Sequence, residues 1–473
     1  MNLLKSGTIV TSSSMFNAAV SFGGIVLLAK LVPSTELGTF FLFQAALGLL
    51  SIPADIGING AIEKRVSEGQ AGSEILGTAL TVKLVLLGLL TWVLLLFRGP
   101  VQSYLDMPVV HLLVVGLLFQ QTSQVSIRTL RGEMRVAQAS ILQTLRKTLW
   151  IFGGVLSAFL DLGAIGLVYA LLGSYVLISV AGGILQQTGV TGFSRESLRS
   201  IVNYSRYNAI TSVGGSVYNW VDTAMLGLFV GGTLIAAYEI AWRVSRLGLV
   251  VSRSVVVTTF PKISEWASRK EYETIAHAVS KSLVPALVLA IPSFFGILLL
   301  APDILTVVYG PEYVVAAAAL TVLSLETVIR AANQVYSRCL HALNQPGLGA
   351  RATVVAIGAN LVLNWTFIAE FGVLGAAVAT SVSFVLKFVI EYRYLSQFVP
   401  VVVPTRDAAV IIGASFAMVT VLYFLKQVLP FRPLWSLVIM LSVGVSSYLG
   451  FLLLSTSMRE YISAVVTQVR PDQ

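Results

Sequence analysis

The stretch ILGTALTVKLVLLGLLTWVLLLF, Ile75–Phe97, decides the fold. Lys83 is its one charged residue. A bilayer core takes roughly 20 apolar residues as a helix, so this segment is long enough to cross one. Outward from it, similar stretches recur along the chain. We read spans at 8–29, 37–60, 75–97, 109–127, 138–160, 163–185, 206–230, 234–260, 283–301, 313–340, 350–369, 372–395, 406–426 and 433–455. Only 11% of the 473 residues are charged, and the mean hydropathy is +0.85. No soluble domain buries that much apolar surface. Membrane β-strands would alternate over ~10-residue segments, which these do not. The expectation is an all-α polytopic membrane protein with about 14 transmembrane helices.

Lys and Arg favour the cytoplasmic side of a membrane. One set of connections carries Lys64, Arg65, Arg128, Arg131, Arg195, Arg199, Arg269 and Lys270, among others. The opposite set carries only Lys30, Arg98, Lys426 and Arg432. This predicts a cell-membrane protein with both termini cytoplasmic, in keeping with an even span count. The net charge of +9 is mostly this topology signal. The basic residues are spread over many loops, which argues against nucleic acid as a partner. The first span follows a single Lys with no small-residue cleavage site, so it reads as an uncleaved anchor. Cys339 is the only cysteine, and His111, His277 and His341 lack ligand spacing. No metal or cofactor is expected.

The sequence repeats weakly. Gly163, Gly166 and Ala170 fall on Gly372, Gly375 and Ala379, each set opening a span after a short outer turn with an acid, Asp161 or Glu370. Val32, Thr35 and Phe40 likewise fall on Val230, Thr233 and Tyr238. The expected organisation is an N-terminal six-helix lobe (1–185), a cytoplasmic linker (186–205), a C-terminal six-helix lobe (206–395), and two extra helices with a tail (396–473). Repeats of six spans are parallel, and substrate sites in such proteins lie between the halves near midplane. Gly23, Gly24, Gly153, Gly154, Gly214, Gly215, Gly358 and Ala316–Ala319 suit close helix packing. The connection 261–282 reads as a solvated, amphipathic cytoplasmic segment that can also meet anionic lipid headgroups.

A charge inside the bilayer is costly and is a functional candidate by default. The candidates are Asp55, Lys83, Asp222, Glu239, Arg243, Arg246, Arg253, Glu326 and Arg330. Arg243, Arg246 and Arg253 lie within about 80° of one another on a helix. Their counterparts in the first half are Ala45, Gly48 and Asp55, so the basic stripe belongs to the second half. Glu239–Arg243 and Glu326–Arg330 are spaced i, i+4 and either neutralise each other or serve a cargo. Arg246 and Arg253 lack an acid at that spacing, which favours cargo contact. Arg253 is also close enough to the cytoplasmic end to snorkel. Lys83 is a further cargo candidate. Asp222 carries a coupling ion or pairs with Arg246. Asp55, after Pro53, either marks a backbone break or binds an ion.

The chain resembles the multidrug/oligosaccharidyl-lipid/polysaccharide flippase superfamily, and most of all its polysaccharide-export, O-antigen-type branch. Three stretches carry the resemblance: Leu28–Phe40 with Asp55–Ile58 and Arg65; Asp222–Gly227 with Tyr238 and Ala241–Arg243; and Phe371–Ala377. Their order and spacing cover nearly the whole chain. The resemblance implies alternating access by two six-helix lobes around a central cavity. It implies a lipid-linked oligosaccharide on a polyprenyl pyrophosphate-type carrier, with proton or sodium coupling open. A guanidinium fork grips phosphate oxygens in bidentate geometry, which makes Arg246, Arg253, Arg243, Arg330 and Lys83 the cargo candidates. Asp222, Glu239, Glu326 and Asp55 are the ion-coupling or salt-bridge candidates. The expected protein is a monomeric transporter among membrane lipids, not an enzyme. Two other readings compete. A multidrug/cation antiporter of the same superfamily would favour an acidic, aromatic cavity. A polysaccharide polymerase or ligase would need a substantial outer loop, and every outer connection here is short.

Overall fold

A computed structural model describes residues 20–69, 72–429, 434–456 and 458–459, with only the backbone course given for 206–213, 253–259 and 261. Regular structure among the described residues is helical throughout. The chain divides into two compact units, 1–236 and 237–473. The repeat places that boundary at 186–205. The difference arises because the seventh span packs on helices of the first unit.

In the first unit the helices are α1 (Val20–Leu31), α2 (Ser34–Asp55), α3 (Ile58–Ser67), α4 (Gly72–Leu96), α5 (Arg98–Leu105), α6 (Val110–Gly132), α7 (Val136–Phe159), α8 (Gly163–Leu185) and α9 (Arg195–Leu226). The start of the first predicted span lies outside the described residues. The second span, expected over 37–60, breaks after Pro53: Ile56 and Gly57 are left-handed, at φ 42° and 83°. Asp55 accepts the Asn59 backbone N–H at 3.0 Å, so its side chain satisfies a free donor at the start of α3. Apolar side chains face outward along α4, α7 and α8: Trp92, Phe152 and Ile184 are 66%, 69% and 78% exposed. Lipid, not water, fits such a surface.

The second unit contains α10 (Gly232–Ser245, which begins before the boundary), a 3₁₀ turn at Arg246–Leu249, α11 (Val250–Ser268), α12 (Tyr272–Leu287), α13 (Ala290–Ile304), α14 (Ala317–Ala342), α15 (Pro346–Leu395), α16 (Thr405–Val428) and α17 (Leu434–Leu452). The eighth span is thus interrupted rather than continuous. The segment 261–282 is not simply solvated. Its polar side faces out, but Ile263, Ile275, Ala276 and Val279 are buried in one core with Tyr336, Cys339 and Leu340 of α14. The α16–α17 hairpin packs on α13, where Lys426 pairs with Asp303 at 2.9 Å and the Tyr448 hydroxyl donates to the Val288 carbonyl at 2.7 Å.

Nine helical segments among the described residues are long and apolar enough to cross a membrane, and one of these, Pro346–Leu395, is two arms joined at Gly372. Helices α7 and α9 fall outside the nine because their interiors are too polar.

The repeat has a physical basis. Gly163 and Gly372 both take positive φ, 58° and 55°, at the matching outer turns. Three residues after each of these, the next glycines pack tightly: a Cβ at Gly166 would lie 2.5 Å from the Leu162 Cβ, and one at Gly375 would lie 1.9 Å from the Phe367 carbonyl oxygen. A second matched pair was invisible in the sequence. Met134 and Asn344 both have φ 59°, and Arg135 and Gln345 each donate to a carbonyl five residues back at 2.9 Å. Among the small residues expected at helix contacts, Gly24, Gly153 and Gly154 do pack against side chains, whereas Gly23, Gly215 and Gly358 face open space.

Gly38 meets Gly232 backbone to backbone: a Cβ on Gly38 would sit 1.8 Å from the Gly232 carbonyl oxygen. A main-chain atom cannot swing aside, so Gly38→Ala is expected to destabilise by about 1–3 kcal/mol. Gly358→Ala, with nothing nearby, is expected to leave stability unchanged. Thermal unfolding of the two purified variants in one detergent checks the contrast.

Candidate functional site

Several sets of interior charges form among the described residues. The first lies in unit 1. The ammonium of Lys83 on α4 is 2.6 Å from the Asp55 carboxylate and 2.6 Å from the Gln121 side-chain oxygen on α6. Lys83 is buried at 2% exposure. Asp55 flanks the break in α2 and forms a salt bridge with Lys83. Lys83, expected as a cargo candidate, is thus engaged by Asp55 and Gln121 in this structure. Asp222 is buried in α9 of the same unit.

The second set is built in unit 2 where the 3₁₀ turn meets α14. Gly248 allows the approach, since a Cβ there would lie 3.2 Å from Thr327. Leu249, Ala290 and Ala331 fill the contact beside it. The turn brings Arg246 to Glu326, which accepts from the Arg246 guanidinium at 2.5 Å. Arg330, one helical turn along α14, donates its Nε to the other Glu326 oxygen at 2.7 Å, with Nη2 at 2.5 Å. Glu326 is wholly buried. One carboxylate thus holds two guanidinium groups, and the trio carries one excess positive charge. Arg330 also lies over the Phe384 ring at 3.8 Å, and Arg246 over Trp242 at 5.1 Å. Stacking suits the flat, weakly hydrated guanidinium.

Arg243 is engaged locally, donating to the Glu239 carboxylate and, at 3.0 Å, to its backbone carbonyl. This is the i, i+4 neutralising pair that the spacing allows. The side chain of Arg253 lies outside the described residues. Arg246 does have an acid, supplied from 80 residues away. Absence of an acid at i±4 said nothing about one arriving from another helix.

The third set is Lys387 and Glu391 on α15, 3.7 Å apart. Lys387 lies 5.5 Å from the same Phe384 ring that carries Arg330. Sequence reasoning missed this pair, although an i, i+4 Lys–Glu within the predicted span 372–395 was a readable signal. It also missed Arg146 and Lys147 on α7, where Arg146 lies 5.5 Å from the Tyr175 ring centroid. Among the described residues, no group of His, Cys, Asp and Glu could hold a metal ion.

Helices with lipid-type surfaces and interior ion pairs define a multi-pass membrane protein. Comparison with known proteins narrows the class. The sequence matches the family described as "Polysaccharide biosynthesis protein" over residues 3–267, and that described as "Lipid II flippase MurJ" over residues 150–446. It is similar to the "Probable low-salt glycan biosynthesis flippase Agl15" of Haloferax volcanii, at 36% identity over 97% of this chain and 98% of that protein. It is also similar to the "Probable flippase AglR" of the same organism, at 30% identity over 96% of both chains. In fold it matches a solved structure of the lipid II flippase MurJ in an inward closed conformation, with TM-score 0.82 and 18% identity over 96% of this chain and 100% of that one. An inward-facing MATE family multidrug transporter of the MOP superfamily gives TM-score 0.66 and 17% identity over 83% and 98%. The chain belongs to the polysaccharide biosynthesis family of the multidrug/oligosaccharidyl-lipid/polysaccharide flippase superfamily.

Removing one member of a buried ionic cluster leaves uncompensated charge, at about 3–5 kcal/mol. Glu326→Gln leaves two guanidinium groups around a neutral amide and is expected to lower stability by that order. The double variant Glu326→Gln, Arg330→Met returns the set to the parent's net charge of one and is expected to recover part of the loss. Thermal melts of both variants against the parent read the difference.

Proposed function

We propose that this protein is a flippase that carries a lipid-linked oligosaccharide across the cell membrane by alternating access. The observation that carries the reading is the Arg246–Glu326–Arg330 set, in a multi-pass chain whose curated relatives are named as glycan biosynthesis flippases. A pyrophosphate crossing a low-dielectric interior needs cationic partners, and two guanidinium groups already hold an anion here. Glu326 keeps them oriented in the cargo's absence. An incoming pyrophosphate, with more negative charge than one carboxylate, displaces Glu326 from one fork and takes its place. The polyprenyl tail stays in lipid. No bond is made or broken on this route, so the protein needs no catalytic residue.

The supporting role of Arg253 is the same, one helical stretch nearer the cytoplasm. Arg243 and Lys83, each already paired, serve structure. Both termini lie in the cytoplasm under the Lys/Arg bias, which puts the α11–α12 turn at Lys270 on that side.

Arg246→Ala is expected to abolish glycan export, by at least tenfold, while the protein still inserts. Arg246→Lys restores it only in part, because an ammonium lacks the bidentate fork. Export in a strain lacking the native gene, with protein levels checked in the membrane, measures both. Full export by Arg246→Ala would remove the assignment.

Orientation has its own test. Cys339 is a free, buried thiol, and Cys339→Ser provides a background for Lys270→Cys. The engineered thiol is expected to react with a membrane-impermeant maleimide only after the cells are opened. Labelling from outside intact cells would overturn the topology.

A further inference from the structure

The third set of charges in unit 2 contains an anomaly. Glu391 is wholly buried, and neither carboxylate oxygen has a hydrogen-bond partner at ordinary geometry. Its nearest cation, the Lys387 ammonium, is 3.7 Å away, a Coulombic contact too long for a hydrogen bond. The other arm of α15 closes over it, where a Cβ at Gly349 would touch Oε1 at 3.7 Å. Glu326, by contrast, has both oxygens taken up by guanidinium groups. A buried carboxylate is stable in its charged form only when paired and hydrogen-bonded. Glu391 lacks the second condition.

We propose that Glu391 is a proton-binding site whose occupancy sets the anion affinity of the Arg246–Arg330 pair. The geometry supplies the link. Phe384 carries two cations, Arg330 at 3.8 Å and Lys387 at 5.5 Å. Each is held by its own acid, Arg330 by Glu326 and Lys387 by Glu391. A proton taken from water neutralises Glu391. The charge on Lys387 then loses its counter-ion beside Arg330, and the local charge rises by one. An anion at Arg246 and Arg330 is bound more tightly in that state. By linkage, the bound anion raises the affinity of Glu391 for its proton by the same factor. Proton and cargo therefore bind together.

The charged groups around the pair are accounted for. From α14, Arg330 and Glu326 act on Lys387, and the His341 side chain is affected by Arg338 and Lys387. The Asn333 amide, also on α14, lies beside the carboxylate. On α12, Glu273, His277 and Lys281 are exposed to solvent, as are Lys262 and Glu265 on α11. Of the two histidines, His341 is the one with Lys387 beside it, and the test controls for it.

This inference rests on the flippase reading, and the experiment separates the two. Farnesyl pyrophosphate serves as the probe, its binding to the full purified chain followed by calorimetry between about pH 5 and 8. Wild type is expected to bind on the order of tenfold more tightly at the acid end. Glu391→Gln mimics the protonated state. It is expected to bind tightly throughout, keeping only the slope due to the probe's own protonation. His341→Gln is expected to behave as wild type. In parallel, infrared difference spectra on acidification are expected to show a carboxylic C=O band that Glu391→Gln lacks. A wild-type slope retained in Glu391→Gln, or an infrared band unchanged by that substitution, would overturn the proposal. Failure of wild type to bind the probe at any pH would count against the flippase reading instead, with the infrared titration still deciding where the proton goes.

Discussion

Inside a bilayer there is no water to share a charge with. That single constraint organises the interior of this protein. A lone ion there is costly, and a buried pair is tolerable only with good geometry and filled hydrogen-bonding positions. Lys83 meets those terms with Asp55 and Gln121. Arg246 and Arg330 meet them by sharing Glu326. The backbone accommodates these meetings. The break at Ile56–Gly57 follows the residue that faces Lys83, and the 3₁₀ turn with Gly248 brings Arg246 to α14. Two of the helix irregularities thus lie where charges meet.

The same reasoning distinguishes two kinds of interior charge. A set with no surplus, such as Asp55–Lys83, is neutral as it stands. A set with a surplus attracts a counter-ion of its own sign preference. Glu326 with two arginines has such a surplus. Being buried strengthens it, since the field of an uncompensated charge is little screened at low dielectric. A multidrug antiporter for organic cations would require the opposite sign at this position.

Much of the fold was legible from the sequence. Long apolar stretches follow from the thickness of a membrane, and Gly163 and Gly372 mark matching turns because glycine tolerates positive φ. Many interior charges were legible too, because acids and bases stand out in apolar spans, although Lys387 and Glu391 were passed over. Their partners were not. Glu239–Arg243 is written into one helix, but Glu326 reaches Arg246 only through a tertiary contact. The span 138–160 was legible despite its polarity, but Arg146 and Lys147, mid-helix in α7, were not picked out as candidates. The turn at Met134 shares its geometry with that at Asn344, yet methionine carries no left-handed signature, and packing overrode its preference. The segment 261–282 was polar enough to look solvated, although one of its faces is apolar and buried.

The break in α2 has one more consequence. The same Asp55 oxygen that meets the Lys83 ammonium also receives the Asn59 N–H. One atom is therefore counter-ion to α4 and cap to α3. The kink is not a slack point in the chain but a pinned joint, and its stiffness is electrostatic in origin. Whatever weakens the attraction to Lys83, by letting in water or a competing ion, simultaneously loosens the first turn of α3. The short helix that carries Lys64 and Arg65 at its far end would feel the change, although neither residue takes part in it.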